Sequence, residues 1–126
     1  MKRIYLALTL LTSVTLLCVG AHLYQHAQMD RMLDMLDGIE EAARHGDTDT
    51  AIRTARRFDA EYQRVSDWMS CYVAHSELRE SRETAALLPT LLADANTDEL
   101  YREIARLRSQ LTHIREVDDP VLRNIL

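Results

Sequence analysis

The sequence predicts an all-α protein: an N-terminal transmembrane helix followed by two αα-hairpins that form an antiparallel four-helix bundle. Three observations carry this reading. No Asp, Glu, Lys or Arg occurs between Arg3 and Asp30. Beyond that gap apolar residues recur at three-four spacing, with no strand-like alternation. Only three Gly and two Pro punctuate the chain, so helix breaks are few and their places informative.

The uncharged segment comes first. Residues 4–23 read IYLALTLLTSVTLLCVGAHL, directly behind Lys2 and Arg3. Twenty helical residues rise roughly 30 Å, the thickness of a bilayer's hydrocarbon core. Ile4, Leu8, Leu11, Leu16 and Leu23 are the expected anchoring side chains in contact with membrane lipid. Thr9, Thr12, Ser13 and Thr15 interrupt the run, but their hydroxyls can bond to carbonyls one turn back. The cations lie before the segment, whereas Asp30, Asp34 and Asp37 against one Arg31 follow it. Positive charge stays in the cytoplasm, so a single-pass protein would have a cytoplasmic N-terminus and an extracytoplasmic C-terminal domain. The division expected is 1–24 for the span or signal anchor and 25–126 for the bundle. The alternative is a cleaved signal peptide, with Val19-Gly20-Ala21 supplying the small residues and secretion following cleavage near Ala21. Cys18 raises the question of a lipoprotein, but Leu17 before it is too bulky for a lipobox.

The helices follow in order. Helix one covers residues 28–45, with Met29, Met32, Leu33, Leu36, Ile39 and Ala43 along one stripe, and can run on from the span without a break. Gly46 stops it and Asp47 caps the next. Helix two is expected over residues 48–74, with Ala55, Phe58, Tyr62, Val65 and Trp68 (or Met69) as its core face. It holds nearly all the domain's aromatic residues and should be the central packing element. Helix three should start near Ser76, which can cap it, and reach Ala93 unless Pro89 kinks or ends it. Asn96 and Glu99 resemble a capping box for helix four. That helix presents Leu100, Ile104, Leu107, Leu111 and Ile114 on one face. Asp118-Asp119-Pro120 ends it, and the apolar residues 121–126 are expected to dock on the bundle.

At an offset of 49 residues, Asp47, Ala51, Ala55, Phe58, Tyr62 and Val65 align with Asn96, Leu100, Ile104, Leu107, Leu111 and Ile114. Two related hairpins would produce this alignment, and so would amphipathic helices that merely share a period.

Composition excludes some functions. The formal charge is −5, and Lys2 and Arg3 precede the domain without an acid, so the domain alone is more acidic still. Nucleic acid is therefore not an expected partner. Two cysteines so far apart give no disulfide framework, and Cys71, beside Met69, Tyr72 and Val73, is expected to be a small buried residue.

The chain resembles the small membrane-anchored proteins grouped as domain of unknown function 4363, found largely in Clostridia and other spore-forming Firmicutes. The resemblance rests on the Lys-Arg-Ile start and single span, Leu36-Asp37-x-Ile39-Glu40 and Gly46-Asp47. It continues in Trp68, His75-Ser76-Glu77, Leu111-x-His113-Ile114 and the ending Leu122-Arg123-Asn124-Ile125-Leu126. It covers essentially the whole chain, and its C-terminal ending is its most specific part. It implies an exported, N-terminally anchored helical protein and no activity. Ser76 stands where the resemblance leads one to expect an acidic residue.

Catalytic signatures are missing from the sequence: no Gly-rich phosphate loop, nucleophile elbow or His-Glu-x-x-His motif occurs. No catalytic residue and no cofactor is expected. One set could hold a divalent metal. His75 and Glu77 enter helix three while His113 and Glu116 leave helix four, at one pole of an up-down bundle. Turn capping and a helix C-terminus account for the same residues without a metal. The expected function is a non-enzymatic, membrane-anchored bundle that binds or positions a protein partner in the cell envelope. The alternative is a ligand-binding, sensor-like bundle. Nothing in the sequence sets the oligomeric state.

Overall fold

The computed structural model describes residues 1–71, 73 and 75–117. The described residues form four helices: α1 (Lys2–Arg44), α2 (Thr48–Met69), α3 (His75–Ala93) and α4 (Thr97–Val117). Among the described residues there is no strand. The expected stop at residues 118–120 and the expected docking of residues 121–126 lie outside the described residues.

All four helices bury residues at alternating steps of four and three. On α1 the buried positions are Gln25, Met29, Met32, Leu36 and Ile39. On α2 they include Ala51, Ala55, Phe58, Tyr62, Val65 and Met69. Leu78, Ser81, Ala85, Leu88 and Leu92 continue the pattern on α3, and Leu100, Ile104, Leu107, Leu111 and Ile114 on α4. This near-3.5 period keeps one narrow stripe facing inward along each helix, as bundles require. The helices pack in a ring: α2 lies against α1 and α3, and α4 against α3 and α1. Phe58 and Tyr62 stack in its core, with ring centroids 5.8 Å apart.

The turn after α1 and the turn after α3 are built alike. After α1, the Gly46 amide donates to the Ala43 carbonyl and the Asp47 amide to the Ala42 carbonyl. After α3, the Ala95 amide donates to Leu92 and the Asn96 amide to Leu91. Both are Schellman closures, which need a left-handed residue at the turn. Gly46 adopts φ +74° without steric cost, whereas Ala95 is held at φ +55° with a side chain attached. Asp47 then accepts from the Thr50 amide at 3.3 Å. The Thr50 hydroxyl and amide together hold its carboxyl below the usual carboxylate range. The Asn96 carbonyl accepts the first bond of α4 from Leu100, at 3.0 Å.

Four expectations are corrected. Helix two ends at Met69, not Ala74, where Ser70 donates its hydroxyl to the Asp67 carbonyl at 2.6 Å and the chain turns. Trp68 is not in the core but 55% exposed. The four-three alternation that runs through Val65 lands next on Met69, which leaves Trp68 off the stripe. Cys71 is exposed, because it belongs to this turn, whereas Val73 packs on the core. Finally, α3 spans His75–Ala93, close to the expected range, but Ser76 lies inside the helix and not at its cap, and Pro89 does not end it early. An internal proline costs about 3 kcal/mol. Buried Leu91 and Leu92 beyond it each contribute about 1.5–3 kcal/mol, enough to hold the last turn.

Ser81 is a buried polar residue with its demands met. Its hydroxyl lies 3.0 Å from the Glu77 carbonyl and 2.5 Å from the Tyr62 hydroxyl. Ser81 has one proton and gives it to the backbone, so Tyr62 donates to Ser81. Burial pushes the Tyr62 phenol up to about 12, which keeps that donor protonated.

Candidate functional site

The first half of α1 is unlike every other described segment. Positions 1–21 are all exposed, including Leu6, Leu10, Leu11, Leu16 and Leu17. This is the one helix, among the described residues, long and apolar enough to cross a membrane, and none of its apolar window is buried. Its serine and threonine hydroxyls are internally satisfied. Thr9, Thr12, Ser13 and Thr15 each donate to the carbonyl four residues back at 2.8 Å. These four side chains therefore present no unsatisfied donor to hydrocarbon. The helix then continues, unbroken, into the stripe that begins at Gln25.

Where the exposed half meets the bundle, the end of α2 packs beside it and leaves a groove of about 580 Å³. Leu17, Ala21 and Tyr24 form one wall, and Arg64, Trp68 and Met69 form the other. The lining is predominantly apolar. Tyr24 is 53% exposed, so two large aromatic side chains stand open on the same groove. Sequence reading missed this site. Its walls come from segments some forty residues apart, and the available signal was Trp68 falling off the four-three stripe.

The residues considered for a metal are placed differently. His113 Nε2 lies 3.7 Å from Glu77 Oε1 across α4 and α3. These two line a smaller groove with Glu80, Ser109 and Gln110. His75 lines another groove, between α2 and α3, beside Gln63, Ser70 and Arg82. Helical residues two apart point about 200° from one another, so His75 and Glu77 cannot serve one centre. Glu116 is exposed. Among the described residues no group of three or more His, Cys, Asp or Glu could hold a metal ion.

Ion pairs tie the ring together. Arg108 on α4 contacts Asp37 Oδ1 at 2.6 Å and Glu40 Oε2 at 2.8 Å on α1. Glu40 first, and then Asp37, raise its affinity for the proton. Arg115 reaches Asp30 at 3.0 Å, Arg31 reaches Glu61 at 2.9 Å, Arg82 reaches Asp67 at 3.1 Å, and Arg106 pairs with Glu80. Exposed pairs contribute about 0–1 kcal/mol each, so they set register more than stability.

These features define a class: a small helical bundle carried behind a long, exposed, apolar N-terminal helix. The chain belongs to the family described as domain of unknown function DUF4363, which matches residues 21–125. No curated protein and no solved structure matches it.

Proposed function

We propose that this protein is a single-pass, membrane-anchored antiparallel four-helix bundle. It would act without catalysis, binding or positioning another component of the cell envelope. The observation that carries this reading is the continuity of α1, whose exposed apolar half and core-forming half are one helix. A domain joined in this way is held at a fixed height and orientation, which suits positioning. The antiparallel arrangement is supported by the ion pairs. Asp30 and Asp37 ascend α1 as their partners Arg115 and Arg108 descend α4. An extracytoplasmic domain follows from the charge asymmetry about the span. A bundle role without chemistry fits a site whose groove is predominantly apolar.

The test uses the two cysteines, both free. A membrane-impermeant maleimide applied to intact cells should label Cys71 and spare Cys18. Labelling of Cys71 only after lysis would overturn the proposed topology. A partner held by this domain should be recovered by cross-linking in intact membranes with the full chain and lost with the anchor alone. Equal recovery by both would remove the positioning role.

A second reading, a ligand-binding bundle, is favoured by the groove, whose volume falls in the range of about 300–1,000 Å³ typical of ligand sites. Thermal-shift screening of the full chain in detergent would separate the two.

A further inference from the structure

We propose that the groove between α1 and the end of α2 holds a glycerophospholipid of the surrounding leaflet, with its phosphate at Arg64 and an acyl chain along Leu17, Ala21 and Met69. The inference rests on reading the apolar half of α1 as a membrane span.

Position is the first argument. A span that starts at Ile4 and covers about 20 residues ends near Leu23. The groove runs from Leu17 to Gln28 along α1, so it straddles the boundary between hydrocarbon and headgroups. Below that boundary no water solvates the lower wall of the groove, so lipid is the occupant at hand.

Chemistry is the second. Arg64 is the cation of the groove, and it has no ion pair among the described residues. Asp67, three residues along the same helix, is engaged by Arg82 instead. Arginine reaches phosphate oxygens through a planar fork of donors while its methylenes lie along apolar surface. Trp68 and Tyr24, both more than half exposed, have the amphipathic rings that settle at headgroup level. Nothing in an aqueous setting explains why the chain's single tryptophan should stand open beside an exposed tyrosine. The acidity of the rest of the domain adds contrast: lipid phosphate is repelled elsewhere and admitted at Arg64.

Trp68 is also the reporter. The full chain would be reconstituted in phosphatidylcholine and phosphatidylglycerol vesicles whose acyl chains carry bromine either near the headgroup or near the chain end. Shallow bromines should quench Trp68 at least about twofold more than deep ones, as an interfacial indole requires. Filling the groove with Ala21→Phe, or reversing its charge with Arg64→Glu, should each reduce that quenching at least about twofold. Ala27→Phe, an exposed substitution outside the groove, should leave it unchanged. Equal emission in brominated and plain vesicles would overturn the proposal, as would quenching indifferent to both groove variants. An environment-sensitive fluorophore on Cys18, in a Cys71→Ser background, reads the span separately. With Cys18 in hydrocarbon and Trp68 unquenched, the groove proposal alone fails. With Cys18 in water, the span fails and the proposal with it.

Discussion

The two halves of α1 share one backbone and obey opposite rules. Before residue 22 every position is exposed and apolar side chains surround the helix. From Gln25 on, apolar residues are confined to a stripe and the other faces carry charge. A helix that is apolar all round needs an apolar solvent, whereas a striped one needs a partner surface and water. The change falls within a few residues and without a helix break. One sequence element thus serves two solvents, and its midpoint marks the expected boundary between them.

Substitutions should separate the halves. The largest effect is expected in the striped half. Leu36→Ala removes a fully buried side chain and should cost about 2–5 kcal/mol of stability, read from denaturant unfolding of the full chain in detergent. Leu11→Arg, on the exposed half, should leave that unfolding curve in place. It should disfavour insertion by about 2.5–3.5 kcal/mol, read as loss from the membrane fraction. If Leu11→Arg destabilised the bundle, or Leu36→Ala alone released a folded protein from membranes, the halves would not be independent.

A smaller effect sharpens the striped half by pH. The Tyr62 phenol sits above its unfolded value, so the neutral form is favoured in the fold. Its contribution is fully present below pH 10 and is lost as pH rises to about 12. Stability should therefore decline over that window by an amount on the order of 2 kcal/mol. Tyr62→Phe should flatten the decline, and membrane association should not respond to either change. The smallest effect is a gain. Ala95→Gly relieves the left-handed residue of the second turn and should stabilise the bundle by about 1 kcal/mol, while Gly46→Ala at the first turn should destabilise it by a similar amount. Equal responses at both turns would mean that φ does not govern them.

Much of this was legible beforehand because the signals are local. The stripes of α1 and α4, the Gly46-Asp47 turn and the continuity through residues 22–28 follow from spacing within one helix. The 49-residue alignment began at Asp47 and Asn96 and did not reach the residues before them, Gly46 and Ala95, to which the structure gives the same hydrogen-bonded closure. Trp68 was misplaced because hydrophobicity competes with period. The residue is apolar enough for a core, but four-three alternation selects Met69. The metal candidates failed on angular position, since His75 and Glu77 are close in sequence and far apart around a helix. The groove was illegible for a tertiary reason. It forms only because α2 ends alongside Ala21 and Tyr24, at the turn where the Ser70 hydroxyl bonds back to the Asp67 carbonyl.

The central claim is that α1 stays whole, so that span and bundle form a single rigid unit. Fractionation of cells with N-terminal sequencing of the mature protein tests it directly. The account predicts a membrane-bound protein, resistant to alkaline extraction, whose sequence begins at the original N-terminus with residues 4–23 retained. A soluble protein beginning at or near His22 would contradict it.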